Sequence, residues 1–348
     1  MAMSSGLEVW IHENEWDSVQ EYVENNPEVV REPLERGQGS LLHHLCSIGS
    51  TPTGLIELVS RLHPEAILEP DNRYRDTPLH MACRNSVTSS AKVQFMLDLL
   101  TTDAEQEALL HRNTFGGTVL HSAANHNSVL SVLEALVRKQ PKLLRVRSLE
   151  GTYPITALWN AYVQTIPGYM AVARVLEGSL DASESRSFER FWEKLLFLAK
   201  ETAGAPDEDD ALLHGILLSN GPQNCYQAAL LLRPSACQYV DGDGNLPLHT
   251  LVMRRPYRLK ERVVIEKTIE EYREAASVRN HLGETPLSLA IHNKLPWSQG
   301  TKLIAEAQPS QLCQRFGPWY PFQYAALVGG VEVDTIYELL RLQPDLVA

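Results

Sequence analysis

Cysteine and long apolar runs are scarce in this sequence, and each shortage removes a class of protein. Five cysteines among 348 residues (Cys46, Cys83, Cys225, Cys237 and Cys313) are too few and too scattered for a disulfide framework. None belongs to a C-x-x-C pair, so a redox dithiol or a zinc knuckle has no starting point. No stretch approaches the roughly 20 apolar residues that span a bilayer, so no membrane span is expected. The opening MAMSSGLEVWIHENEWD lacks a cationic segment followed by an apolar core and does not read as a secretory leader. Asn-x-Ser/Thr acceptors are missing as well. These absences agree on an intracellular, reducing setting, cytoplasm or nucleus. Basic residues are outnumbered, 31 Lys+Arg against 43 Asp+Glu, for a net charge of −12. A field of that sign repels phosphate backbones and disfavours nucleic acid as a partner.

What is present favours helices packed on helices. Hydrophobic residues make up 44% and charged residues 21%, a globular balance, and the apolar ones are mostly Leu, Ala and Val. A chain this long exceeds what one core organises, so several domains or a repeat array is expected. Eight segments align: LLHHLC (41–46), TPLHMAC (77–83), TVLHSAA (118–124), YPITALW (153–159), ALLHGIL (211–217), LPLHTLV (246–252), TPLSLAI (285–291) and YPFQYAA (320–326). Anchored on Leu41, Pro78, Val119, Pro154, Leu212, Pro247, Pro286 and Pro321, they are spaced by 37, 41, 35, 58, 35, 39 and 35 residues. A second signal keeps phase with the first. NPEVV (26–30), HPEAI (63–67), QPKLL (140–144), RPSAC (233–237), QPSQL (308–312) and QPDLV (343–347) each set a proline ahead of apolar residues. Proline cannot continue a helix and moves the residue before it out of the helical region, so each marks the end of an outer helix.

The segments around T-P-L-H-x-A, best at 77–82 and 246–249 and looser at 285–290, resemble the ankyrin repeat family in a divergent, proline-containing form. The resemblance runs over roughly residues 7 to 348. It implies an all-α solenoid with short β-turn fingers, about eight repeats behind an N-terminal half-repeat cap. The cap falls at 7–36 and the repeats at 37–73, 74–114, 115–149, 150–180, 208–242, 243–281, 282–316 and 317–348. An insertion helix at 181–207 fills the 58-residue gap. Its face of Phe188, Phe191, Trp192, Leu195, Leu198 and Ala199 either packs onto the array or receives a partner helix. The lengthened period is expected to lie in the turns between the two helices of a repeat, which are rich in Pro, Gly, Ser and Asn. The resemblance further implies that His43, His80, His121, His214 and His249 make structural hydrogen bonds tying neighbouring fingers.

No motif carries a complete catalytic or ligand-binding set. GSTPTGLI (49–56) has the glycines of a nucleotide loop but Leu55 and Ile56 where Lys and Ser/Thr are needed, so nothing offsets a β/γ-phosphate. DGDGN (241–245) starts like a calcium loop, yet Leu246 replaces its glycine and Val252 its bidentate glutamate. His12-Glu13 is followed by Trp16 where a zinc protease has its second histidine. The expectation is therefore a chain with no catalytic residue, no metal site and no cofactor.

By analogy with ankyrin arrays, a protein ligand is expected on a concave face made by finger tips and by the ends of inner helices. The expected contacts are Arg73, Tyr74, Phe115, Asp243, His281 and Trp319 on the fingers, with Arg84, Asn125, Asn160, Met253 and His292 on the helices. Exposed aromatics and arginine are the usual anchors of interface energy. Arg112, Arg147 and Arg279 share one position, seven before their anchors, with Arg315 one residue off it; the stripe either recruits an acidic partner or, the favoured expectation, pairs within the chain with Asp71, Glu150 and Asp241 on adjacent fingers. RRPYRLKER (254–262) reads as a solvated turn or a nuclear-import patch. The functional expectation is a monomeric protein–protein interaction scaffold or adaptor. The alternative is a regulatory subunit or inhibitor that occludes an enzyme's site.

Overall fold

A computed structural model describes residues 4–32, 39–84, 90–126, 128–165, 182–203, 212–218, 223–253 and 261–343. The described residues are helical and contain no strand; an isolated bridge pairs Phe316 with Trp319. Among them no helix is long and apolar enough to cross a membrane. Contacts divide the chain into two compact units, Met1–Leu195 and Leu196–Ala348.

The first unit opens with α1 (Ser4–Glu13) and α2 (Trp16–Asn25). Helix pairs follow: α3 (Leu41–Ser47) with α4 (Thr53–Leu62), then α5 (Pro78–Arg84) with α6 (Ser90–Leu99). A short α7 (Asp103–Ala108) precedes the pair α8 (Val119–Asn125) and α9 (Leu130–Lys139), and α10 (Pro154–Thr165) comes next. The first helix of each pair is brief and almost wholly apolar. In α3, Leu41, Leu42, Leu45 and Cys46 are at most 1% exposed, each leucine contributing roughly 1.5–3 kcal/mol of burial. Such helices are enclosed on every side: α3 lies on α5, α5 on α8, and α8 on α10. The second helix of the pair is more open: α4 buries one face, Leu55, Ile56, Val59 and Ser60, whereas α9 buries Val132, Leu133, Ala135, Leu136 and Val137.

The proline motifs act as the sequence suggests. Asn26, His63 and Gln140 leave the helical region at φ −135°, −144° and −145°, and the following Pro27, Pro64 and Pro141 each open a five-residue 3-10 turn. That turn buries two apolar residues in each case: Val29 and Val30, Ala66 and Ile67, Leu143 and Leu144. After α6 the arrangement differs. The extra residues there lie beyond the second helix, where α7, closed by a Thr102–Glu105 capping box, replaces the 3-10 turn. This corrects the expectation that all added length sits between paired helices.

The division between units falls within α11 (Ala182–Ala203). In the first unit its Phe191 is buried against Trp159 and Tyr162 of α10, with ring centroids 5.9 and 4.0 Å apart. The apolar face of that end therefore already has an occupant.

The second unit contains α12 (Leu212–Leu218), α13 (Gln223–Leu232), α14 (Pro247–Met253) and α15 (Glu261–Glu271). It continues with α16 (Pro286–His292), α17 (Thr301–Ala307), α18 (Pro321–Leu327) and α19 (Val333–Arg341). Here α12 packs on α14, α14 on α16 and α16 on α18. The 3-10 turns at Pro234–Gln238 and Pro309–Cys313 follow the proline rule. A third, Arg273–Ser277, forms without proline and buries Ala275 and Ala276 in the same places. Gly215 has a separate task. A Cβ there would lie 2.3–2.6 Å from the Ala199 backbone, so only glycine permits α11 and α12 to approach so closely.

The expected second helix of repeat 150–180, the acidic PDEDD (206–210), RRPYRLK (254–260) and the final PDLV (344–347) lie outside the described residues.

Candidate functional site

Between helix pairs the chain makes a tight turn whose first residue is Asp, Asn or Ser. Asn113 Oδ1 accepts the N–H groups of Phe115 and Gly117, and Asp241 Oδ1 those of Asp243 and Asn245. Asn280 does the same for Leu282 and Glu284, Asp71 for Tyr74 and Asp76, and Ser148 Oγ accepts from Thr152. These side chains take the role of a backbone acceptor and fix the turn locally. Successive turns then bond tip to tip. Thr114 N–H donates to Tyr74 O at 2.8 Å, Leu149 N–H to Phe115 O at 3.1 Å, and in the second unit His281 N–H to Asp243 O at 3.0 Å. Gly116, at φ +73°, permits the second of these bonds; a Cβ there would lie 2.5 Å from Leu149 N.

The motif histidines lie behind the turns. Nδ1 of His43, His80, His121 and His249 accepts the backbone N–H at the start of its own helix, from Ser40, Thr77, Thr118 and Leu246. That leaves Nε2 carrying the proton. In the first unit His43 and His121 donate to Asp76 O and Thr152 O, both 3.1 Å away, at the end of the next turn. In the second, His214 and His249 donate instead to Tyr239 O and Val278 O, where the chain enters the next turn. The His80 ring is directed at Gly117, in the equivalent place, and meets His111 edge-on. Burial lowers the pKa of all five, that of His121 to about 4 and that of His80 to about 3, so they are neutral and positional. Among the described residues no group of three or more His, Cys, Asp or Glu could hold a metal ion. Cys46 and Cys83 are buried and their thiols pushed up, as packing groups are.

Of the expected contact residues, Arg73, Phe115, Asn125, Asn160, Asp243, Met253, His281, His292 and Trp319 are exposed. Tyr74 is half-buried because its ring stacks on Phe115, centroids 6.0 Å apart, while the Arg73 guanidinium lies 4.8 Å above its centre. Arg84 is not a free anchor. Its Nη2 lies 2.8 Å from Oδ2 of Asp76, a fully buried carboxylate that also accepts from Asn113 Nδ2 at 2.9 Å. Burial raises the Asp76 pKa, while Asn113 and Arg84 pull it back down. His292 Nδ1 is 3.0 Å from the Tyr324 hydroxyl, and Trp319 is bridged to Phe316.

Three of these residues converge. Arg84, Phe115 and Asn125 line one cavity of about 280 Å³ in the first unit, with Ser122, His126 and Glu150 completing its wall. Its floor is the end of α8, and its sides are the turns 113–117 and 148–152. Asp76, behind it, was missed from sequence; its signal was an acid immediately before T-P-L-H. The expected pairing of Arg112, Arg147 and Arg279 with Asp71, Glu150 and Asp241 is absent. Asp71 and Asp241 hold their own turns, Arg147 lies over Tyr153 at 5.3 Å, and Arg279 donates to Gly283 O and Gln314. Arg315 lies over Tyr320 at 4.8 Å.

No protein-family model matches the chain, and no curated protein matches it with significance.

Proposed function

We propose that the chain is a non-catalytic protein-interaction scaffold of divergent ankyrin type, which grips a protein ligand with its turn tips and the ends of its inner helices. The turns are then the fingers of the array, and α3, α5, α8, α10, α12, α14, α16 and α18 its inner helices. One observation carries the reading. The last residue of six seven-residue inner helices turns to solvent or sits half-buried although most of the helix is enclosed: Ser47, Arg84, Asn125, Leu218, Met253 and His292; in α18 Leu327 is exposed too, but most of that helix is only half-buried or open. Folding gives no reason to keep such a series open, and the apolar tips Phe115, Leu149 and Leu282, 58%, 76% and 81% exposed, extend it. The ligand needs no cofactor, since the groups available are aromatic faces, amides and charges.

The test is a random peptide display library selected on the full chain and reselected on a Phe115→Ala/Asn125→Ala double variant. Peptides enriched on the first and lost on the second are expected. Enrichment that is indifferent to the double variant would sink the surface, and no enrichment at all would sink the scaffold.

A further inference from the structure

The cavity between turns 113–117 and 148–152 has a chemical bias that the scaffold reading leaves unspecified. We propose that it receives an arginine or lysine side chain from a basic segment of the partner, set against the Phe115 ring and paired with Glu150; this rests on the scaffold reading. Phe115 and Glu150 both line the cavity and both face solvent. Tyr74 covers one face of Phe115, and Arg73 in turn covers Tyr74. An incoming guanidinium on the ring repeats that contact and adds one more layer to an existing stack. The cavity's own cation does not oppose it, because Arg84 is matched by the buried Asp76 at 2.8 Å. An acidic ligand fares worse. It would compete with Asp76 for Arg84 and lie beside Glu150, two carboxylates close to a third. Burial and the nearby Arg84 also lower the His126 pKa, so that side chain adds no second positive charge. At longer range the chain's net charge of −12 draws a basic segment in.

The experiment titrates the full chain into a fluorescein-labelled arginine–serine peptide, with glutamine–serine and glutamate–serine peptides as controls, and follows anisotropy at near-physiological salt. The arginine peptide is expected to bind about tenfold more tightly than either control. Glu150→Gln should weaken it about fivefold and Phe115→Ala about threefold. Glu65→Gln removes an exposed acid outside the cavity and should cost less than about twofold, the effect of net charge alone. Equal losses in Glu150→Gln and Glu65→Gln, a preference for the glutamate peptide, or no binding of the arginine peptide would each overturn the proposal. Library peptides that need Phe115 and Asn125 but ignore Glu150→Gln would overturn it while leaving the scaffold standing. Far-UV circular dichroism of all three variants, whose altered side chains are exposed, verifies that a loss is not unfolding.

Discussion

Asp76 and Asn245 occupy the same place in the two units, two residues ahead of the prolines that open α5 and α14. Each accepts a hydrogen bond from the asparagine that begins the next turn: Asn113 Nδ2 to Asp76 Oδ1 at 2.9 Å, Asn280 Nδ2 to Asn245 Oδ1 at 3.0 Å. The helix ends that follow are also equivalent, yet Arg84 faces Asp76 in the first unit while Met253 closes α14 in the second. The junction therefore needs an acceptor at that position and does not need a charge. A buried ion pair is costly to desolvate and adds little net stability over a neutral replacement. The second unit has an amide at that position in Asn245 and a carboxylate in Glu284, ahead of Pro286, so an acid there is not peculiar to the first unit; what sets Asp76 apart is its pairing with the helix-end Arg84 beside the cavity.

That comparison can be pressed first at Gly215, which follows the histidine slot as Ser122 does. Gly215→Ala should cost about 3 kcal/mol because the new Cβ meets the Ala199 backbone. Ser122→Ala should cost less than about 1 kcal/mol, both read by urea unfolding. Next, Arg84→Met strands the Asp76 carboxylate and should lower stability by about 2 kcal/mol. Adding Asp76→Asn copies the second unit and should restore all but about 1 kcal/mol. A double variant no better than the single one would mean that the junction does require charge.

The histidines make a smaller, pH-dependent contribution. The folded pKa of His121 is lowered to about 4 from an ordinary 6.5, so the unfolded chain takes the proton first as pH falls. The stabilisation is complete above about 6.5 and declines towards pH 4, by roughly 1 kcal/mol between pH 6.5 and 5.5. His121→Gln, with the residue found naturally at Gln323, should flatten that slope in pH-dependent unfolding. The smallest effect is expected at the tips. Phe115→Ala should cost about 0.5–1 kcal/mol for the lost Tyr74 contact, and His281→Ala in the second unit less than about 0.5 kcal/mol.

Helical class and the proline-marked ends of the second helix in a pair could be read from the sequence because both rest on local rules, periodicity and the missing N–H of proline. The last residue of the first helix in each pair is a register position too, but Arg84 there is half-buried against Asp76 rather than open. DGDGN (241–245) could be read as a finger turn, but the backbone-capping role of Asp71, Asn113, Ser148, Asp241 and Asn280 could not. An acid near a basic stripe suggests an ion pair, and only the folded turn shows its oxygen facing backbone N–H groups. Arg273–Ser277 escaped notice because two buried alanines do there what proline announces elsewhere. The convergence of Arg84, Phe115 and Asn125 on one cavity depends on how three separate segments stack, which no single segment encodes.

The claim that turn tips and inner-helix ends form the binding surface is tested most directly by hydrogen–deuterium exchange of the full chain with and without a library-selected peptide. Protection is predicted at residues 113–117, 119–126 and 148–152. Protection confined to the outer helices, 53–62 and 130–139, with those segments unchanged, would contradict it.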